Sequence, residues 1–444
     1  MLRISARDIE ALLEAMVAWE KIKPGQVGKR RVFKQYGLLG TSKDRVFTAI
    51  IYGVSRRRGL VDRIISSTGC SIEELDLYSL MLLRAIVYEK YFGEGETNIY
   101  LSLVKLGPNV IGRIVGKGAK EKIATLIEKV INVSYKPKDR IEELEFKYNA
   151  PYWFIHKLVE MIGWDETISF LEVTNQPPPL SFRINTLKAS VEEVLEEFRR
   201  EGYRPIIGRY VPTVVKIREP YDYSSSKLLK NGKIIPQDEA SALASILLGV
   251  RPGMVVVDLC AAPGGKTTHI AEIMKNHGRI IAIELYEDRA ARLRQLLKRA
   301  GISIAEVHVM DAREAVKLFG EEIADRVLLD PSCSSTGAIA KHPEAKWRLN
   351  ESVLSKLVSL QRELLDIAVR LLKPGGRLLY TTCSVLREEN EENIEWILHK
   401  YKDIVKLIPL KEPFSPGFLP GTMRAWPHRH EVTGFFYALM EKIK

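Results

Sequence analysis

Apolar residues in the first third of the chain recur at the spacing of one helix face. The clearest stripe consists of Ile9, Leu12, Leu13, Met16 and Val17, and similar stripes run through residues 46–54, 75–91 and 123–133. Positions i, i+3, i+4, i+7 and i+8 lie on one side of a helix, where they can pack against a core. The pattern predicts an all-helical domain over residues 1–145.

The pattern changes over residues 146–232. Apolar positions between Trp153 and Ile162 predict a further helix, which the run Pro177-Pro178-Pro179 cannot continue. The segment LSFRINTL alternates like a strand, and Ser190 with Glu193 has the spacing of a capping box before another apolar stripe. We therefore predict a small α+β domain here.

From Lys233 to the end, apolar strands alternate with glycine turns and helices. The predicted strands are MVVVDL, RIIAIE, AEVHVM, RVLLD and RLLYTT. This alternation is typical of an α/β fold with a doubly wound, mostly parallel sheet covered on both faces. Ligands of such sheets bind beyond the carboxyl ends of the strands. The candidate site residues of the domain 233–444 are therefore those at the strand ends.

Composition excludes several classes of protein. The 444 residues are 46% hydrophobic and 28% charged, and no uninterrupted apolar window is long enough to span a membrane. The first twenty residues lack the features of a signal peptide, so we expect a cytoplasmic protein. Four cysteines without a C-x-x-C pair predict reduced thiols, and we expect no metal because His342, His428 and His430 lack partners at metal-ligand spacing.

The positive charge lies mostly in the helical third. Residues 1–150 contain 26 Lys and Arg against 18 Asp and Glu, a net charge of +8 out of +11. Two clusters carry much of it, namely Lys21, Lys23, Lys29, Arg30, Arg31 and Lys34, and then Arg56, Arg57 and Arg58. Such clusters favour a polyanion such as RNA, although a solvated basic face is the commoner meaning of one charge run.

The first strand of the predicted sheet ends in a loop of small residues, DLCAAPGGKT from Asp258 to Thr267. Small residues let the backbone approach a ligand, and the next helix start offers free N–H groups. The loop is neither a G-x-G-x-x-G fingerprint nor a P-loop, which argues against hydride and phosphoryl transfer. We predict a nucleotide-type ligand, with Glu284 on the ribose and Asp311 on an adenine amino group.

Two cysteines lie at neighbouring strand ends. Cys333 comes soon after Asp330 at the fourth strand, and Cys383 closes the fifth. A thiol beside an adenosine cofactor favours one reaction, in which sulfur adds to C6 of a pyrimidine and C5 then attacks the methyl group of S-adenosylmethionine. An acid at N3 would polarise the ring, a role for Asp330 as a protonated carboxyl. The second thiol would help to release the enzyme.

These motifs resemble a known family. DLCAAPGGKTTHIAE, LLDPSCSSTGAIAKHPEAKWR and GGRLLYTTCSV are similar to the RNA cytosine-5 methyltransferases of the Sun (nucleolar protein) group, and the likeness extends to PPPLSFRINTL, IPQDEASAL and PHRHEVTGFF. It covers residues 150–444. It implies a Rossmann-like methyltransferase domain that binds S-adenosylmethionine.

The resemblance also implies roles for individual residues. Cys383 would be the covalent nucleophile, Cys333 would assist product release, and Lys266 would touch the target base. The cofactor would lie on Cys260, Ala261, Ala262, Pro263, Gly264, Gly265 and Lys266, with Glu284 on the ribose, Asp311 on the adenine, and Arg289 and Asp330 nearby.

Two positions depart from the family pattern. Many members have Asp-Ala-Pro-Cys where this chain has Asp330-Pro331-Ser332-Cys333, and Asp-Gly-Phe-Phe where it has Thr433-Gly434-Phe435-Phe436. The first departure keeps the spacing of the reactive groups. The second would alter a side wall of the pocket.

The remaining parts of the chain also resemble family domains. The segment from IIYGVSRRRG to VYEKYF is similar to the NusB-like helical domain of the bacterial ribosomal RNA members, which implies RNA binding by residues 1–145. The insert 146–232, with Arg183 and Asn185, resembles the family's RNA-recognition-like subdomain.

We predict a monomeric RNA (cytosine-5) methyltransferase with ribosomal RNA as the first choice of substrate. Transfer RNA is the nearest alternative, because recognition of RNA depends on loop shape. A catalytically silent RNA-binding assembly factor is the rival from another class, and the retention of both Cys333 and Cys383 argues against it. A dehydrogenase would need the missing glycine fingerprint.

Overall fold

The computed structural model describes residues 3–22, 25–93, 97–223, 225–341, 346 and 349–444. The chain divides into two compact units, Met1–Ile168 and Ser169–Lys444. The predicted domain boundaries at 145 and 232 stay predictions. Within the described residues, no helix combines the length and the apolar character needed to cross a membrane.

The first unit is helical, as the apolar stripes predict. Its helices are α1 (Ala6–Lys21), α2 (Gly25–Gln35), α3 (Ser42–Ser66), α4 (Leu77–Phe92), α5 (Thr97–Ile114), α6 (Lys117–Asn132) and α7 (Arg140–Tyr148), followed by α8 (Tyr152–Thr174), which contains the division between the units. Helix α1 begins at a capping box in which Ser5 and Asp8 each accept from the other's backbone N–H. All five residues of its predicted stripe are buried in the core of this unit.

The second unit starts with a small antiparallel sheet. Its strands are β1 (Leu180–Ile184), β2 (Ile206–Ile207), β3 (Val214–Ile217) and β4 (Ile234–Pro236), in the order β2-β3-β1-β4, with helices α9 (Val191–Arg200) and α10 (Lys227–Lys230). The predicted strand and the predicted helix start are confirmed, since Ser190 Oγ accepts from Glu193 N at 3.1 Å. Phe182 and Phe198 are fully buried between sheet and helix.

The large sheet contains all five predicted strands. They are β5 (Val255–Asp258), β6 (Arg279–Glu284), β7 (Ala305–Val309), β8 (Ala324–Leu329) and β9 (Leu372–Thr382), and they pair in parallel in the order β9-β8-β5-β6-β7. Four later strands extend the sheet antiparallel from β9, namely β10 (Val405–Ile408), β11 (Ser415–Pro416), β12 (Met423–Ala425) and β13 (Phe435–Lys442). The prediction of an α/β, doubly wound fold is confirmed.

Helices cover both faces of this sheet. They are α11 (Glu239–Leu247), α12 (Gly265–Ile273), α13 (Glu287–Ala300), α14 (Ala315–Phe319), α15 (Glu351–Leu371), α16 (Glu391–Lys400) and α17 (Pro427–His430). Successive residues of one strand point to opposite faces, so Val256 and Val257 belong to different core clusters. The strand order reverses between β5 and β8, which opens a crevice at their carboxyl ends.

Candidate active site

The carboxyl edge of the parallel strands carries the residues that the sequence singled out. Asp258 ends β5 and Glu284 ends β6, while Asp311, Asp330 and Cys383 directly follow β7, β8 and β9 or lie two positions beyond. Because these strands are parallel, the five residues share one edge of the sheet. The site is therefore assembled from distant parts of the chain.

Asp258 fixes the loop after β5. Its side chain is buried and accepts a hydrogen bond from Thr267 Oγ1 at 2.7 Å, which ties the strand end to α12. Burial raises the pKa of Asp258 to about 6. The Asp258 side chain therefore stabilises the conformation of the loop between β5 and α12.

Gly264 lets α12 begin at the crevice. Its φ is +105°, and a Cβ at this position would lie 2.5 Å from Leu293 Cδ1. Within the loop, Ala261 and Ala262 are buried and Pro263 is exposed. The backbone therefore passes close to α13 and presents the first N–H groups of α12, which begins at Gly265, toward the crevice.

Glu284 is only 3% exposed at the end of β6. Its Oε1 accepts from Tyr286 N at 3.1 Å and lies 3.3 Å from Arg289 Nη1. Arg289 also donates to Ala262 O at 2.7 Å, so it connects the β6 end with the β5 loop. Among the described residues, both contacts of Glu284 use the same oxygen, which leaves Oε2 for a ligand hydroxyl.

Asp311 lies at the same edge but is bound to its neighbour. Arg313 donates to Asp311 Oδ2 at 2.6 Å, and the hydrogen bonds from Arg313 lower the pKa of Asp311. Cys260, in the β5 loop, is a poor nucleophile because burial raises the pKa of its thiol. Cys333 and Cys383 are therefore better candidates for the reactive thiols than Cys260.

Lys266 and Asp330 form an ion pair, with Nζ and Oδ2 2.6 Å apart. The ammonium group also lies 5.1 Å from the centre of the Phe435 ring. The sequence led us to expect a protonated Asp330. That role stays a prediction, and the structure adds Lys266 as a second polar group beside the same side chain.

Cys333 and Cys383 are brought together although fifty positions separate them. Their sulfur atoms lie 3.3 Å apart, and Cys383 Sγ lies 3.5 Å from Ser335 Oγ. The hydrogen bond with Cys333 lowers the pKa of the Cys383 thiol, against the opposing effect of burial, while the same hydrogen bond and burial raise the pKa of Cys333. The pair thus favours a thiolate on Cys383 and a thiol on Cys333.

A buried polar network behind the thiols was not found from the sequence. Glu389 is fully buried and accepts from Ser334 N at 2.9 Å, from Ser334 Oγ, and from Gln361 Nε2 at 3.0 Å. In the sequence, Glu389 lies in the acidic run REENEEN, which is typical of an exposed segment. The hydroxyl cluster CSST beside Cys333 was the one local signal for this network.

Other residues named from the sequence lie outside the site. Arg183 and Asn185 are fully buried, where Arg183 pairs with Glu272 and Asn185 donates to Gly232 O and Ala300 O. His430 accepts from Trp426 N, and His342 lies outside the described residues. Across the part of the chain that the structure describes, no group of three metal-ligand side chains is placed to hold an ion.

Comparison with known proteins decides the family. The model of the 16S rRNA methyltransferase RsmB/F family matches residues 245–441, and that of the RsmF/B-like ferredoxin-like domain matches 150–224. Ribosomal RNA small subunit methyltransferase B of Klebsiella pneumoniae subsp. pneumoniae is 35% identical over 303 residues, which are 68% of each chain. The chain belongs to the RsmB/F family.

Further relatives extend the match to the whole chain. The probable ribosomal RNA small subunit methyltransferase B of Bacillus subtilis is 26% identical over 457 residues and all of both proteins. The crystal structure of PH0851 shares 45% identity and a TM-score of 0.84, covering 99% of this chain and all of that one. A methyltransferase homolog from Pyrococcus horikoshii is 29% identical, with a TM-score of 0.61 over 69% of this chain and all of its own.

An RsmB/F methyltransferase uses S-adenosylmethionine, and the crevice fits this cofactor. Oε2 of Glu284 is available to accept a hydrogen bond from a ribose hydroxyl. Because Gly264 has no side chain, there is room for a ligand beside the start of α12. The expectation of this cofactor is confirmed at the level of the family. The individual contacts remain predictions.

Proposed function

We propose that this RsmB/F methyltransferase forms 5-methylcytosine in ribosomal RNA through a covalent bond between Cys383 and C6 of the target base. The single observation that carries the proposal is the pair of sulfur atoms 3.3 Å apart beside the cofactor crevice. Methylation of an amine or hydroxyl would need no nucleophilic thiol.

Each residue has a chemical task in this scheme. The Cys383 thiolate adds to C6, which forms the S–C6 bond and makes C5 nucleophilic. Lys266 donates a hydrogen bond to the ring, and Asp330, which lies beside it, is the acid at N3 that polarises the ring. S-adenosylmethionine, when bound, supplies an electrophilic methyl group for C5.

Release then requires the reverse of the addition. Loss of the C5 proton to solvent restores the double bond between C5 and C6 and expels sulfur from C6. The Cys333 thiol, 3.3 Å from Cys383 Sγ, donates a hydrogen bond to the departing thiolate. Without Cys333 the covalent adduct is expected to persist.

The test is methyl transfer from labelled S-adenosylmethionine to fractionated RNA, with methylcytosine mapped by position. We expect label in ribosomal RNA, no label with Cys383→Ala, and a trapped RNA adduct with Cys333→Ala. Cys70→Ala, which removes a buried thiol of the helical unit, is the matched control and should stay active. Label in transfer RNA alone would change the substrate, and full activity of Cys383→Ala would overturn the nucleophile.

If no RNA fraction accepts label although the cofactor binds, the silent assembly factor becomes the better explanation. The predicted RNA binding by the helical third supports an RNA substrate, because exposed cations there can replace counterions along a phosphate backbone.

A further inference from the structure

Ser335 has an unusual backbone conformation next to the reactive sulfur. Its φ is +56°, in the left-handed region that glycine adopts more readily than other residues. Its hydroxyl lies 3.5 Å from Cys383 Sγ. Strained residues that are held near reactive groups point to a functional constraint.

The residues on both sides of Ser335 are anchored. Ser334 donates to the buried Glu389 carboxylate through N and Oγ, and Thr336 Oγ1 accepts from Val385 N at 3.0 Å. Gly337 N donates to Cys383 O at 2.8 Å. The loop is therefore fixed to the segment that carries Cys383, and Ser335 is held in place by its neighbours.

The hydroxyls near Ser335 have other partners. Ser334 Oγ, Thr336 Oγ1 and Ser384 Oγ lie 3.0–3.1 Å from one another in a buried cluster. Two polar groups lie beside Cys383 Sγ, namely Cys333 Sγ at 3.3 Å and Ser335 Oγ at 3.5 Å. Ser335 Oγ accepts from the neutral Cys383 thiol, and its own hydrogen can rotate toward the sulfur once Cys383 is a thiolate. A buried thiolate needs such donors in place of water.

We propose that Ser335 is a further catalytic residue, whose hydroxyl donates a hydrogen bond to the Cys383 thiolate before addition and again as sulfur leaves C6. The inference rests on the proposed function, because Cys383 must be the nucleophile. The Ser335 hydroxyl lowers the pKa of the Cys383 thiol, after the larger effects of the Cys333 hydrogen bond and of burial.

The decisive variant is Ser335→Gly, because glycine accepts the positive φ while the hydroxymethyl side chain is removed. The measurement is the rate at which iodoacetamide alkylates Cys383 in the full-length protein, followed by peptide mass spectrometry from pH 6 to 10. We expect alkylation at pH 7 to slow about tenfold, as for loss of one hydrogen bond to a charged group. Ser335→Ala should slow it similarly, and single-turnover methyl transfer should fall in parallel.

The control replaces another left-handed residue, with Asp403→Gly (φ +66°) expected to leave the alkylation profile unchanged. An unchanged alkylation profile in Ser335→Gly overturns the inference. Slower alkylation in Ser335→Ala alone also overturns it, because the cause would then be backbone strain at the positive φ and not the loss of the hydroxyl. These outcomes leave the proposed function standing, which fails separately if Cys383→Ala transfers methyl groups.

Discussion

Lys266 Nζ lies 2.6 Å from Asp330 Oδ2, which joins the first turn of α12 to the end of β8. The Lys266 side chain is largely buried, whereas that of Asp330 remains partly open. A cation placed in this way is an electrostatic contact for a base whose charge develops during the reaction. The contribution of the Lys266 charge to catalysis can therefore be tested by substitution.

Lys266→Met should lower kcat about a hundredfold, since one preorganised donor to a developing charge is worth roughly that factor. Steady-state methyl transfer with the RNA substrate measures the effect. Lys373→Met, which removes the partner of Asp325 in a more exposed ion pair, is the control and should change kcat little. Unchanged turnover in Lys266→Met would remove Lys266 from the catalytic residues.

Glu284→Ala should weaken cofactor binding about tenfold to a hundredfold, because a buried carboxylate that accepts from a hydroxyl contributes roughly that much. Titration calorimetry with S-adenosylhomocysteine gives the Kd directly. Glu306→Ala removes an exposed carboxylate from the neighbouring strand β7 and serves as the control. Equal affinities for wild type and Glu284→Ala would place the ribose elsewhere.

Asp258 predicts a pH dependence of stability. Its folded pKa of about 6 exceeds the ordinary value of 3.8, so its contribution to stability falls as pH rises from 4 to 6 and stays low above that. Asp258→Asn should gain stability relative to wild type between pH 5 and pH 8, by about 1.4 kcal/mol for the one pKa unit between pH 5 and the folded pKa. Calorimetric Tm values of both proteins at pH 5 and at pH 8 test this prediction. The same difference in Tm between Asp258→Asn and wild type at the two pH values would contradict it.

Glu389→Gln should make Cys333 more acidic. The pKa of Cys333 is raised by its hydrogen bond with Cys383, by burial, and also by the negative charge of Glu389. The amide keeps an acceptor for Ser334 N and removes the charge. Alkylation of Cys333 should then occur at lower pH, while the half-buried neighbour variant Glu388→Gln should behave like wild type; identical Cys333 profiles in all three proteins would refute the effect.

The exposed cations of α2 should contribute to RNA binding. In the two basic clusters, Lys29 forms an ion pair with Asp44 and Arg58 forms one with Glu20, and Lys23 lies outside the described residues. The exposed cations of α2 are Arg30, Arg31 and Lys34. Reversing the last three to Glu should weaken binding and reduce its salt dependence, by about 0.7–0.9 in log–log slope for each phosphate that is no longer neutralised. Filter binding from 50 to 300 mM salt measures this. Lys317→Glu, which reverses an exposed charge of the second unit, should have little effect on RNA binding.

The helical stripes and the five parallel strands could be predicted from the sequence, whereas the antiparallel strands β10 to β13 were not predicted. Helix stripes such as the one from Ile9 to Val17, and strands such as RIIAIE, follow from periodicity because burial of one face is a local requirement. The strand ends then named Asp258, Glu284, Asp330 and Cys383, because parallel strands bring their carboxyl ends to one edge.

The distances between the site residues, and the partners of each, follow from tertiary packing. Strand register and helix packing join positions far apart in the chain, so the 3.3 Å between Cys333 and Cys383 and the burial of Glu389 have no local signature. The same long-range pairing binds Arg313 to Glu363 and buries Arg183. Charge and reactivity in a folded protein depend on which groups become neighbours, and that depends on the whole fold.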